Sequence, residues 1–157
     1  MTKELFPAPI LVLGVGNLLM SDEGFGVRVV EELQKGSDLP RHVEIIDGGT
    51  AGHDLIDIIE KRTKIIIIDA VDGGCEPGSI YRFTPADLQN GSTYDMTSLH
   101  QIGILEILNY AHLFGQAPQE TVILGIQPLS LELKIGLSPK IEAQIPKMME
   151  LVLKEIN

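Results

Sequence analysis

Residues 64–70 read KIIIIDA, and the four isoleucines in a row constrain this chain more than any other feature. β-Branched side chains favour extended backbone, and successive residues of a strand point to opposite faces. A run that is apolar at every position must be covered on both faces. That is the mark of a central strand in a parallel sheet flanked by helices. The run ends at Asp69. A carboxylate directly after a buried strand is costly unless it is paired, hydrogen-bonded or used.

The segments before it alternate in kind. Residues 10–14 (ILVLG) form a strand, and residues 25–35 a helix whose faces are marked by Val27, Val30 and Leu33 or Gln34. KGSDLP supplies turn residues, and VEIID (43–47) a second strand that runs into Gly48 and Gly49. A helix over about His53 to Glu60, with Leu55, Ile56 and Ile59 apolar, leads to the isoleucine strand. Strand, helix, strand, helix, strand implies an α/β fold with a parallel sheet and right-handed crossovers. Ligands of such sheets bind outside the carboxyl ends of the strands. Topology alone therefore gathers Glu23, Asp47 and Asp69 on one edge.

Beyond Asp69, the loop VDGGCEPG leads to an edge strand at 79–83, to which the antiparallel direction is open. Residues 85–97 read as irregular. Ser98 with Gln101 makes a capping box for a helix whose apolar positions are Ile102, Leu105, Ile107 or Leu108, and Ala111. ETVILGIQ (120–127) forms the last strand. Ser138-Pro139 opens a final helix with Ile141, Ile145, Met148 or Met149, and Val152 on its apolar face. Pro146 kinks or interrupts that helix.

At 157 residues the chain is expected to form one domain, spanning 1–157. Its 12 Lys and Arg against 22 Asp and Glu leave a net charge of −10, which argues against nucleic acid or an anionic membrane as partner. No apolar run approaches the ~20 residues of a membrane span, and the first residues lack the basic start and apolar core of a signal peptide. Cys75, the single cysteine, excludes an internal disulfide and suits a reducing compartment. A soluble, cytoplasmic protein is expected.

The loop after the first strand admits two chemistries. Gly14-Val15-Gly16 resembles the start of a dinucleotide fingerprint, but Leu19 stands where the third glycine belongs. Asp22 and Glu23 would also repel a phosphate, and no P-loop lysine is present. The other chemistry is a metal or acid–base site. Asp22 has a plain alternative as a helix cap, and Asp47 as a turn former. Glu23 and Asp69 are harder to explain in that way. Among the histidines, His42 reads as solvated, His112 as surface or packing, and His53 as no ligand although it follows the GGTAG loop. His100, in the first turn of a helix, is expected to stay neutral and able to ligate. Glu, Asp and His with open positions suit zinc or nickel better than calcium or magnesium. There is no H-E-x-x-H helix and no G-x-S-x-G elbow, and Cys75 has no histidine near it in sequence.

GVGNLLMSDEGFGV, DGGTAG (47–52), IIIIDA and SLHQIGI (98–104) together resemble the hydrogenase maturation endopeptidases. The resemblance runs from about Ile10 to the C-terminus. It implies a three-layer α/β/α sandwich with a mostly parallel five-stranded sheet. It also implies cleavage of a C-terminal extension from the nickel-loaded precursor of a [NiFe] hydrogenase large subunit. By the same resemblance Glu23, Asp69 and His100 are the metal positions, and Asp47 has a supporting or catalytic role beside Asp69. Gly48 and Gly49 would let the precursor's backbone pass close by. Nickel would be recognised in the substrate rather than held at rest, with zinc or another divalent ion able to substitute. A non-catalytic metal- or nucleotide-binding module on the same fold is the rival from another class, and a peptidase for an unrelated precursor is a third reading.

Overall fold

A computed structural model describes residues 8–36, 39–49, 55–89 and 99–157, without the side chains of 88, 89 and 99–105. Its strands are β1 (Ile10–Val15), β2 (Val43–Gly49), β3 (Lys64–Ala70), β4 (Ile80–Phe83) and β5 (Glu120–Ile126). Its helices are α1 (Phe25–Lys35), α2 (Leu55–Ile59), α3 (Pro85–Gln89), α4 (Leu99–Leu113), α5 (Pro139–Glu142) and α6 (Ile145–Ile156). The sheet runs β2-β1-β3-β5-β4. β4 is antiparallel to β5, and the remaining pairs are parallel.

Alternation along the isoleucine strand builds both cores at once. Ile66, Ile68 and Ala70 pack on one face with Phe25, Val29 and Val30 of α1 and Met148 and Val152 of α6. Ile65 and Ile67 pack on the other face with Leu55 and Ile59 of α2 and Ile107 and Leu108 of α4. All four isoleucines are fully buried. Each complete burial contributes roughly 1.5–3 kcal/mol relative to exposure. The three-layer α/β/α sandwich follows from this one run of residues.

One expected element differs, and one open alternative is decided. Residues 85–89, read as irregular, form α3: Asp87 accepts from the Thr84 N–H at 2.8 Å and so closes a local helical turn. The final helix is two helices. Pro146 does not kink a continuous rod; it stands in the first turn of α6, where its missing N–H leaves nothing unsatisfied. Ser138 precedes α5, but its hydroxyl makes no cap bond and is used elsewhere. The proposed cap Ser98 lies outside the described residues. No described helix is long and apolar enough to cross a membrane.

Candidate active site

The chain moves from β1 to β2 on one side and from β2 across to β3 on the other. The strand order therefore reverses between β1 and β3, which is where such sheets open a crevice at their carboxyl ends. The segment that leaves β1 is shaped by glycines. Gly16 has φ +139°, and a Cβ there would lie 1.9 Å from the Glu23 carbonyl oxygen. A Cβ on Gly14 would lie 2.3 Å from the Gly26 carbonyl oxygen, and one on Gly26 would lie 2.1 Å from that of Ile68. These glycines let the start of α1 lie directly on β1 and β3. The space a dinucleotide phosphate would need is filled by the protein's own backbone.

Asp22 and Glu23 sit in a 3-10 turn, Ser21–Gly24, just before α1. Their fates differ. Asp22 is fully buried and turns away from the helix. Its Oδ2 accepts from the backbone N–H groups of Leu129 and Ser130, each at 2.9 Å, and from the Ser138 hydroxyl at 2.9 Å. Its Oδ1 accepts from the Ser138 N–H at 2.7 Å. Asp22 is thus not a helix cap but the clamp of a distant loop. Glu23 is only partly buried.

Asp69 closes β3 with 0% exposure. Its Oδ1 accepts from the Ala70 N–H at 2.8 Å, while Oδ2 has no hydrogen-bond partner among the described residues. Burial pushes its carboxyl well above the usual range, against the pull of the Ala70 bond, and the Glu23 charge pushes it further up. Glu23 therefore lies within electrostatic reach of Asp69.

Asp47 stands apart from this pair. It pairs with Gly14, as does Ile68, so it belongs to the α1 face of the sheet. Asp69 has the opposite parity. Asp47 is exposed, and its Oδ1 accepts from the Gly49 N–H at 2.9 Å, which makes it also the turn former of its segment. Gly49 has φ +47°. Gly48 serves the protein's own packing, since a Cβ there would meet Leu13 at 2.8 Å.

His100 lies in the first turn of α4, and its side chain is outside the described residues. The other end of α4 is at the start of β5, where Leu108, Asn109 and His112 line a cavity with Glu120 and Thr121. The first turn of α4 accordingly lies toward the carboxyl edge, over the face to which Asp69 belongs. His42 and His112 are exposed, and His53 lies outside the described residues. Among the described residues no three His, Cys, Asp or Glu side chains group into a metal site. The orphaned Asp69 oxygen beside a second carboxylate is nonetheless what a cation would satisfy.

One buried network escaped the sequence reading. Gln127, which follows β5, accepts on Oε1 from the Tyr81 hydroxyl at 2.6 Å and from the Gly73 N–H at 2.9 Å. Its Nε2 donates to Asp72 at 3.1 Å. It thereby fixes the loop that leaves Asp69. The signal was a glutamine at the end of an otherwise apolar strand.

Residues 27–155 match the family described as hydrogenase maturation protease, HycI. Asp47, Asp69 and His100 lie within that span, and Glu23 lies just before it. The chain belongs to the hydrogenase maturation proteases. It is 41% identical to the hydrogenase 2 maturation protease of Escherichia coli K12, over 94% of this chain and 90% of that one. It is also 41% identical to the hydrogenase expression/formation protein HupD of Bradyrhizobium diazoefficiens, over 90% and 74%. The solved structure of the hydrogenase maturating endopeptidase HybD from E. coli superposes with a TM-score of 0.84 at 40% identity, covering 94% of this chain and 91% of that one. The maturation protease is accordingly an endopeptidase, a hydrolase of hydrogenase maturation, on the α/β fold read from its sequence. The non-catalytic binding module is not favoured.

Proposed function

We propose that this protease removes a C-terminal extension from the nickel-loaded precursor of a [NiFe] hydrogenase large subunit, working as a soluble cytoplasmic enzyme. Glu23, Asp69 and His100 read the nickel carried by the substrate. Asp47 and Asp69 supply the carboxylate chemistry of peptide hydrolysis. One observation carries the reading: a fully buried carboxyl, Asp69, has an oxygen with no hydrogen-bond partner among the described residues and feels the charge of Glu23.

That geometry supports a gate. With no cation present, burial and the Glu23 charge both oppose ionisation of Asp69. A divalent ion delivered by the precursor opposes both effects and favours the ionised carboxylate. Zinc or another divalent ion of similar preference can take the same donors. A carboxylate at this edge then takes a proton from the attacking water. The exposure of Asp47 near the end of β2 supports a role on a peptide at that edge.

The test is to incubate purified protease with nickel-loaded and nickel-free precursor and follow the mass of the large subunit. Cleavage of the loaded form alone is expected, and equal cleavage of both would sink the gate. Glu23→Gln, Asp69→Asn and His100→Ala should each abolish processing while the circular dichroism spectrum stays unchanged. Normal processing by any of them refutes its place in the site.

A further inference from the structure

Five large apolar side chains project into solvent beside the candidate site. Leu19 is 56% exposed, Leu129 56%, Leu131 45%, Leu133 84% and Ile135 68%. Leu129, Leu131, Leu133 and Ile135 stand at every second position of the bent segment 129–135, with Ser130, Glu132 and Lys134 between them. Met20 forms a parallel bridge with Lys134, which sets Leu19 level with Leu133.

This exposure does not come from a loose loop. The Ser21 N–H donates to the Lys134 carbonyl at 2.8 Å, and the Lys134 N–H to the Leu19 carbonyl at 2.9 Å. The Ser21 hydroxyl donates to the Glu132 carbonyl at 2.7 Å. Asp22 grips both ends of the segment, at Leu129 and Ser130 and again at Ser138. A fixed row of apolar side chains held in water marks a surface that something covers.

We infer that this lip docks an apolar surface of the folded large-subunit precursor, beside the extension to be cut. The inference rests on the function proposed above. Continuity argues for this occupant. The turn that carries Glu23 is the one to which the lip is bonded, so the lip adjoins the candidate site. The cavity lined by Leu108, His112, Glu120 and Thr121 cannot serve, because it lies at the start of β5, at the opposite end of the sheet. Affinity for the precursor comes instead from an open apolar surface, as at protein–protein interfaces.

The experiment measures the dissociation constant of the full-length protease for purified precursor, with cleavage scored in the same samples. Leu133→Ser with Ile135→Ser should weaken binding about tenfold or more. Leu113→Ser with Phe114→Ser, a control on side chains equally exposed at the far end of α4, should leave it unchanged. Equal affinities of wild type and the lip variant overturn the proposal, as does loss of binding in the control to the same degree. A wild-type dimer that the lip variant dissolves without change in precursor affinity also overturns it, and assigns the lip to a second copy of this chain. Binding that depends on the lip without any cleavage supports docking and refutes the endopeptidase reading of this substrate. Cleavage without lip-dependent binding does the reverse.

Discussion

Asp22 and Ser138, 116 positions apart in sequence, are joined twice: the serine N–H donates to one carboxylate oxygen at 2.7 Å and its hydroxyl to the other at 2.9 Å. The next residue, Glu23, takes no part in this clamp, and its charge acts on Asp69 instead. Two adjacent acids thus divide, one holding the frame and the other acting on the buried carboxyl.

Removing the clamp should be expensive. Asp22→Ala strands the N–H groups of Leu129, Ser130 and Ser138 at once, and each was bonded to a charge. We expect a loss of about 3 kcal/mol or more in urea unfolding. Hydrogen exchange should show the 129–138 segment losing protection first. Unchanged exchange there would remove Asp22 from this role.

Asp69 should leave a mark on stability against pH. Its folded carboxyl titrates well above the ordinary range, so the folded protein keeps a proton that the unfolded chain has released. Stability therefore falls as pH rises from the ordinary aspartate value to the raised one, by up to ~1.4 kcal/mol per pH unit from this group. Above the raised value the loss levels off. Asp69→Asn should lack this slope. Glu23→Gln, by removing a neighbouring negative charge, should move the Asp69 midpoint down, as carboxyl carbon NMR would record. A wild type and an Asp69→Asn variant with parallel pH curves would contradict the burial argument.

Gly26 offers a test of how the site is assembled. A Cβ there would fall 2.1 Å from the Ile68 carbonyl oxygen and 2.5 Å from that of Val15, both backbone atoms that cannot step aside. Gly26→Ala should cost about 3 kcal/mol or more and separate α1 from β1 and β3. Gly74→Ala is the contrast. Its φ of +79° is strained for alanine but nothing lies within 4 Å, so about 1 kcal/mol is expected. Thermal unfolding of the two variants side by side decides it.

The sequence by itself determined the layers and the edge. Four isoleucines with no polar break require cover on both faces, and that requirement places helices on both sides of β3 and Asp69 at its carboxyl end. Segment order then placed Glu23 and Asp47 on the same edge. The short α3 was hidden because its helical turn depends on a local Thr84–Asp87 bond rather than on apolar periodicity. The split of the last helix was legible in Pro146. Tertiary structure alone decided what each acid does. Asp22 and Glu23 are equivalent in sequence until a segment more than a hundred residues away claims one of them. Strand register sets Asp47 and Asp69 on opposite faces, which no local pattern reveals. Whether glycines cradle a ligand or admit a helix depends on what lies above them, and here that is the backbone of α1. Periodicity records which side chains must leave water. Partners of charged groups are chosen by chain segments that meet only when the fold closes.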